Sequence, residues 1–342
     1  MSLAPISAVS SPILTEIAQI AAVGPALVTT TPAVEPAPAA PASPAAALAQ
    51  MVGEAATTQD GLAPLLADLT AALNAPGLPD NARGLISQIL ASQTPLAEDA
   101  SAEDVRAAAN NSGLFLEAAL AAEAAQPDGA AAPVASDLKA QLLRLIAALA
   151  PVAQGPGRAP GTSTPPPVAG GPLAGQSPAI ASLVAGADPR AAAAVLSHEA
   201  QAALARVQLS QAASATQAGD TTRWMFEAPV QTPGGSGVAQ FEISRDSKGG
   251  ASAAAAPTWR ARFSLDVAPS GPVHAELALS GGKLRVTLTA ESDAARQAMQ
   301  AEAPRLIGEL SASEDADVAV RFITGAPPAA APQAGRLVDR RT

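Results

Sequence analysis

Hydrophobic positions recur along this chain with two different periods, and the change falls near Thr222. Beyond it, Trp224, Phe226, Ala228 and Val230 alternate with Met225, Glu227 and Pro229. After the turn-rich PGGSG, Ala239, Phe241 and Ile243 alternate with Gln240, Glu242 and Ser244. A period of two is that of a strand with one apolar face, so this pair predicts a hairpin. A polar, glycine-containing loop (246–257) precedes Trp259, Ala261, Phe263, Leu265 and Val267, which alternate with Arg260, Arg262, Ser264 and Asp266. Pro269-Ser270-Gly271-Pro272 then turns the chain into Val273, Ala275, Leu277 and Leu279, and Gly281-Gly282 turns it into Leu284, Val286, Leu288 and Ala290. These segments predict an antiparallel meander. From Asp293 to Leu310 the period lengthens: Ala295, Met299, Ala303, Leu306 and Leu310 share a helical face, with Pro304 as a kink. Val318, Val320 and Phe322 supply a closing strand. The predicted class is α+β, a mostly antiparallel sheet with one covering helix.

Ahead of Thr222 the pattern is helical and intermittent. Leu65, Leu66, Leu69 and Leu73 share a face, as do Leu85, Ile86, Ile89 and Leu90. Asp137 to Leu149 places Leu138, Leu142, Leu145, Ile146 and Leu149 at helical spacing, with Ser136 as the expected N-cap. Pro189 opens a further helix running to about Ala215, with Val195, Leu204, Val207 and Gln211 loosely on one side. Residues 24–60 and 151–176 are rich in Pro, Ala and Gly, compositions expected to stay extended. The front two thirds therefore read as largely disordered Ala/Pro-rich chain with short helices. The expected organisation is a disordered leader at 1–60, helical segments at 61–150, a linker at 151–188, a helix at 189–219, a C-terminal domain at 223–325 and a disordered tail at 326–342.

Composition sharpens this reading. Of 342 residues 48% are hydrophobic, but much of that is Ala, which buries little area against the entropy of ordering. Both Trp and four of the five Phe lie beyond position 220, so one real core is expected, in the last third. A formal net charge of −10 without any sustained Lys/Arg run argues against nucleic acid. Cysteine is absent, which excludes disulfides and thiolate metal sites and suits a chain threaded unfolded across a membrane. The apolar N-terminus has no basic residue before Arg83, unlike a Sec signal.

A search for chemistry returns little. His198 and His274 have no Cys or carboxylate at ligand spacing and read as solvated imidazoles. Ser197 beside His198 does not make a catalytic pair, because helix neighbours point about 100° apart. Gly234, Gly235 and Gly237 form no phosphate loop. Glu314, Asp315 and Asp317 lack the spacing of a calcium loop, and Arg336, Arg340 and Arg341 read as solvated tail charges. No catalytic residue, cofactor, metal or small-molecule substrate is expected.

The run WRARFSLDVAPSGPVHAELALSGGKLRVTLTAES, then DAARQAMQAEAPRLIGEL and VAVRFITGAPP, resembles the C-terminal domain of flagellar hook-length control proteins. RWMFEAPVQTPGGSGVAQFEISRD is similar to the segment preceding that domain in alphaproteobacterial members, and SGLFLEAALA with DLKAQLLRL to their middle motif. The resemblance implies export from the cytoplasm through the flagellar type III apparatus. It implies hook subunits and the hook cap as partners of the front part, and the membrane switch protein of the export gate as partner of the C-terminal domain. Substrate choice then changes from hook to filament subunits, and the chain is expected to act as a monomer. Expected partner contacts are Leu265, Pro269, Gly271, Val273 and Leu277, although three of these lie on the alternating apolar face and core packing competes for them. A front part of about 220 residues would reach about 300 Å as helix or about 700 Å extended, enough to report on a supramolecular length. The alternative is a secreted structural or adhesive surface protein with an Ala/Pro-rich stalk.

Overall fold

The computed structural model describes residues 43–73, 75–96, 101–125, 134–155, 164–184, 186–215, 221–246, 257–267, 270–314 and 316–326. The chain divides into two units, Met1–Ala47 and Leu48–Thr342, and the second contains the whole sheet and every helix from α2 onward. In chain order the elements are α1 (Pro44–Thr58), α2 (Leu62–Ala72), α3 (Asp80–Ala91), β1 (Thr94–Pro95), α4 (Ala102–Asn110), α5 (Leu116–Ala125), α6 (Leu138–Leu149) and α7 (Pro189–Ala215). They continue through β2 (Thr221–Thr232), β3 (Gly235–Asp246), β4 (Thr258–Val267), β5 (Gly271–Ser280), β6 (Lys283–Ala290), α8 (Asp293–Ala301), α9 (Ala303–Glu314) and β7 (Asp317–Thr324).

The strands form one sheet in sequence order. Strands β2 to β6 are an antiparallel meander, with β1 parallel to β2 at one edge and β7 parallel to β6 at the other. This is the α+β fold the alternation predicts. Gly281 and Gly282 have φ of 55° and 72°, the left-handed pair that a two-residue hairpin turn requires and that a Cβ disfavours. The single predicted helix is two: α8 ends at Ala301 with Glu302 as its C-cap (φ −86°, ψ 0°), and α9 starts at Ala303. Pro304 then lies in the first turn of α9, where its missing N–H removes no helical bond, so the proline sits at a break rather than at a kink. Ser292 caps α8 by accepting the Ala295 N–H at 3.1 Å.

The main core lies elsewhere than expected. Its largest cluster joins Leu62, Leu65, Leu66 and Leu69 of α2, Ile86 and Ile89 of α3, Leu142, Leu145 and Leu149 of α6, Leu196 and Ala203 of α7, and Val238 of β3. The leucine faces of α2, α3 and α6 are therefore those the sequence indicates. What composition concealed is α7, whose alanines are buried around most of its circumference. A helix with so little side chain buries little area itself but lets its neighbours approach closely, which makes it a central element. The N-cap of α6 is Asp137, one residue beyond Ser136, and its carboxylate accepts the Ala140 N–H at 3.0 Å. Helix α1 falls in a stretch read as extended, and Ala55 and Val52 pack on Ala205 and Leu209 of α7.

Residues 164–178, read as linker, run as a strap over the sheet face that carries Glu227, Gln240, Glu242 and Ser264. The Ala174 N–H donates to Gln240 Oε1 (2.8 Å), the Gly175 N–H to Ser264 Oγ (2.9 Å) and the Gly170 N–H to Glu242 Oε2 (3.1 Å). Gln176 exchanges both backbone hydrogen bonds with Val238. A Cβ on Gly175 would stand 2.6 Å from Leu265 Cα, so only glycine permits this approach.

Candidate functional site

The alternation and register place two chemically distinct faces on the sheet. One carries Trp224, Phe226, Phe241, Ile243, Trp259, Phe263, Leu265, Val273, Leu277, Val286, Leu288, Val320 and Phe322. Its aromatics form ladders across strands. Phe226 stacks on Phe241 at 4.9 Å between centroids, Phe241 meets Phe263 at 5.6 Å, and Trp224 stacks on Trp259 at 6.2 Å. The Arg245 guanidinium lies 5.3 Å from the Trp259 ring centre. This face is only partly covered. Phe226 is buried, but Trp224, Ile243, Phe263 and Leu277 are partly exposed and Trp259 is 39% exposed.

The residues expected to make partner contacts are distributed along this face. Leu265 and Val273 sit directly opposite one another on β4 and β5, Leu265 buried and Val273 partly exposed. Gly271 opens β5 with φ of 80°, the left-handed conformation its turn demands. Leu277 lies further along β5 between Ala261 and Val286, about 13 Å from Val273 at strand rise. Pro269 lies outside the described residues. The geometry thus joins Leu265, Val273 and Gly271 at one end of the β4–β5 hairpin and sets Leu277 at mid-face. The aromatic ladders beside Leu277 were not singled out in the sequence, although their period-two spacing is the signal that carries them.

The opposite face holds buried charge. Arg206 of α7, 1% exposed, donates Nε–H to Glu227 at 2.7 and 2.8 Å, Nη1–H to Gln59 Oε1 at 2.7 Å and to the Pro165 carbonyl at 2.9 Å. Its Nη2 stands 2.7 Å from Glu227 Oε1. Glu242 receives Arg262 at 2.6 Å and lies 3.2 Å from Arg223 Nε. Nearby, Lys139 donates to Glu117 and to Gln211 Oε1. Every buried carboxylate on this face meets a cation or an N–H donor, the condition under which buried charge is tolerated. His274, on the same face of β5, is half-buried, and burial lowers its pKa against a smaller opposing effect of Glu291. Among the described residues no cluster of His, Cys, Asp or Glu is suited to a metal, and no helix is long and apolar enough to cross a membrane.

The segment built of β4, β5, β6, α8, α9 and β7 corresponds to one region of similarity. Residues 247–329 match the family model described as flagellar hook-length control protein FliK. Over these residues the chain is similar to the flagellar hook-length control family. No curated protein and no solved structure matches the chain. The hook-length control segment supplies the outer strands and both of their helices, and the β2–β3 hairpin, which precedes the matched residues, extends the same sheet. Leu265, Gly271, Val273 and Leu277 all fall within it, as do Trp259 and Phe263.

Proposed function

We propose that the chain is a non-enzymatic hook-length control protein exported through the flagellar type III apparatus. In this reading it switches export from hook to filament subunits. The observation that carries the reading is the match at 247–329, which coincides with a continuous β–β–β–α–α–β unit. The effector region is the C-terminal domain at 223–325, and its partner is the membrane switch protein of the export gate. The front part, through its helices and linkers, engages hook subunits and the hook cap during transit. The protein is cytoplasmic before export and acts as a monomer.

The partly exposed apolar face offers the contact. Leu277 and the Trp224–Trp259 stack present large apolar groups without being fully buried, as a docking surface requires. Leu265 is buried and acts by holding the hairpin in place, whereas Val273 and Leu277 reach solvent. The test is an immunoblot of culture supernatants from cells carrying Leu277→Asp, with the purified variant melted alongside the parent. Continued secretion of hook subunits without filament subunits, from a variant that still folds, supports the reading. Normal filament secretion from Leu277→Asp and from a Trp259→Asp variant overturns the assignment of the contact to this face.

A further inference from the structure

The two edges of the sheet are finished differently. At one edge β2 is covered by the two-residue β1, whose Pro95 is followed by the Leu96 N–H donating to the Gln231 carbonyl at 3.0 Å, and α4 packs against both strands. At the other edge β7 runs eight residues with no proline, and among the described residues no strand pairs with its outer side. Long unprotected edges of this kind are templates for an added strand.

The register tells which groups are free. The Asp317 N–H donates to the Gly282 carbonyl and the Gly325 N–H to the Ala290 carbonyl, both toward β6. In a parallel pair the residues facing the neighbour alternate, so the odd-numbered positions bond to β6. The N–H and C=O groups of Val318, Val320 and Phe322 therefore point outward as a ladder awaiting a partner.

Charge and shape select that partner. On the polar face of the outer strands lie Lys283, Arg285, Asp317, Arg321 and, one strand further in, Glu276. Lys283 is opposite Asp317, and Arg262 beside Glu276 is already engaged by Glu242, so three cations meet two carboxylates on these strands, a net positive charge, with Arg285 and Arg321 both exposed. On the apolar face α8 packs on β6 and β7, while α9 packs chiefly on β7. None of residues 303–312 of α9 is buried, and Ile307 is 37% exposed.

We propose that the outer edge of β7 is a docking site for an extended segment of another protein that alternates acidic and apolar residues. The segment adds as an eighth strand through the outward groups of Val318, Val320 and Phe322. Its acidic side chains lie beside Arg321 and within reach of Arg285, and its apolar side chains face Ile307 of α9. Main-chain bonds give affinity in this mode and the alternate side chains give specificity. This site uses only the free edge and its charges, so its failure leaves the hook-length reading untouched.

The test is fluorescence anisotropy of the purified full chain with a labelled peptide alternating Val and Glu, beside a Val/Lys peptide of equal length. The Val/Glu peptide is expected to bind 1:1, at least tenfold more tightly than the Val/Lys peptide, and more weakly as salt rises. Val320→Pro removes one outward N–H without touching a β6 bond, and should weaken binding at least tenfold. If Val320→Pro fails to fold, a peptide N-methylated at alternate backbone positions, together with Arg321→Glu, reads the same contact. Equal binding of the two peptides, or binding indifferent to N-methylation, overturns the proposal. Concentration-dependent dimerisation of the chain in sedimentation, abolished by Arg321→Glu, also overturns it, by showing a second copy to be the occupant.

Discussion

Replacing Arg206 by methionine tests how the helical layer is held to the sheet. The guanidinium supplies the Glu227 carboxylate with its bidentate partner and also donates to Gln59 and to the Pro165 carbonyl, all within 2.9 Å. Methionine of similar length leaves a buried carboxylate uncompensated, a loss of roughly 3–5 kcal/mol. Replacing both partners, Arg206→Met with Glu227→Leu, removes the stranded charge and leaves the Gln59 and Pro165 acceptors, which Arg206→Met alone also leaves, and the Gln176 Nε2 donor unmet, at about 1–3 kcal/mol each at most. The double variant should therefore be more stable than Arg206→Met alone, an outcome that additive effects forbid. Urea unfolding followed by tryptophan fluorescence reads the sheet, because Trp224 and Trp259 lie on β2 and β4, while circular dichroism reads the helices. The two probes should shift together. A loss under about 1 kcal/mol for Arg206→Met, or a double variant less stable than either single one, would refute the account of the buried pair.

Three further outcomes are expected. Burial, the largest influence, raises the pKa of Asp137 against the hydrogen bonds from Ala140 and Lys139 that lower it. A raised folded-state pKa contributes stability below the unfolded value that is lost as pH rises through the folded value. Asp137→Asn, which keeps an N-cap acceptor, should thus melt higher than the parent at pH 7 and equally with it near pH 3, in calorimetric scans across pH. Gly282→Ala forces a Cβ into φ of 72° and should cost about 1–2 kcal/mol in chemical denaturation, with little change in the denaturant slope. Phe241→Ala removes the central ring between Phe226 and Phe263 and should cost about 2–4 kcal/mol in the same assay, somewhat below a fully buried Phe because Phe241 is only partly buried.

The strands were legible because each carries one continuous apolar face, so Trp224 to Val230 or Trp259 to Val267 announces both the element and its register. The leucine faces of α2, α3 and α6 were legible for the same reason at the longer period. The role of α7 was not, because its alanines give no periodic contrast and their burial depends on neighbours far along the chain. The burial of the polar strand positions is hidden in the same way. Gln240, Glu242 and Ser264 alternate as solvent-facing residues should, yet they are buried beneath the strap by bonds to Ala174, Gly170 and Gly175. Those pairings span 66 to 89 residues, beyond any local pattern. Of the candidate contact, the Leu265–Val273 pair and the Gly271 turn followed from alternation and turn chemistry. The exposure of Trp259 and Leu277 followed from which parts of the sheet the helices leave uncovered, a tertiary fact.

The central claim is that residues 223–325 carry the switch from hook to filament export. Electron microscopy of hooks from cells expressing the chain without residues 223–342 tests it most directly, with filaments scored in the same images. Overlong hooks without filaments are the predicted result, and hooks of normal length bearing filaments would contradict the account.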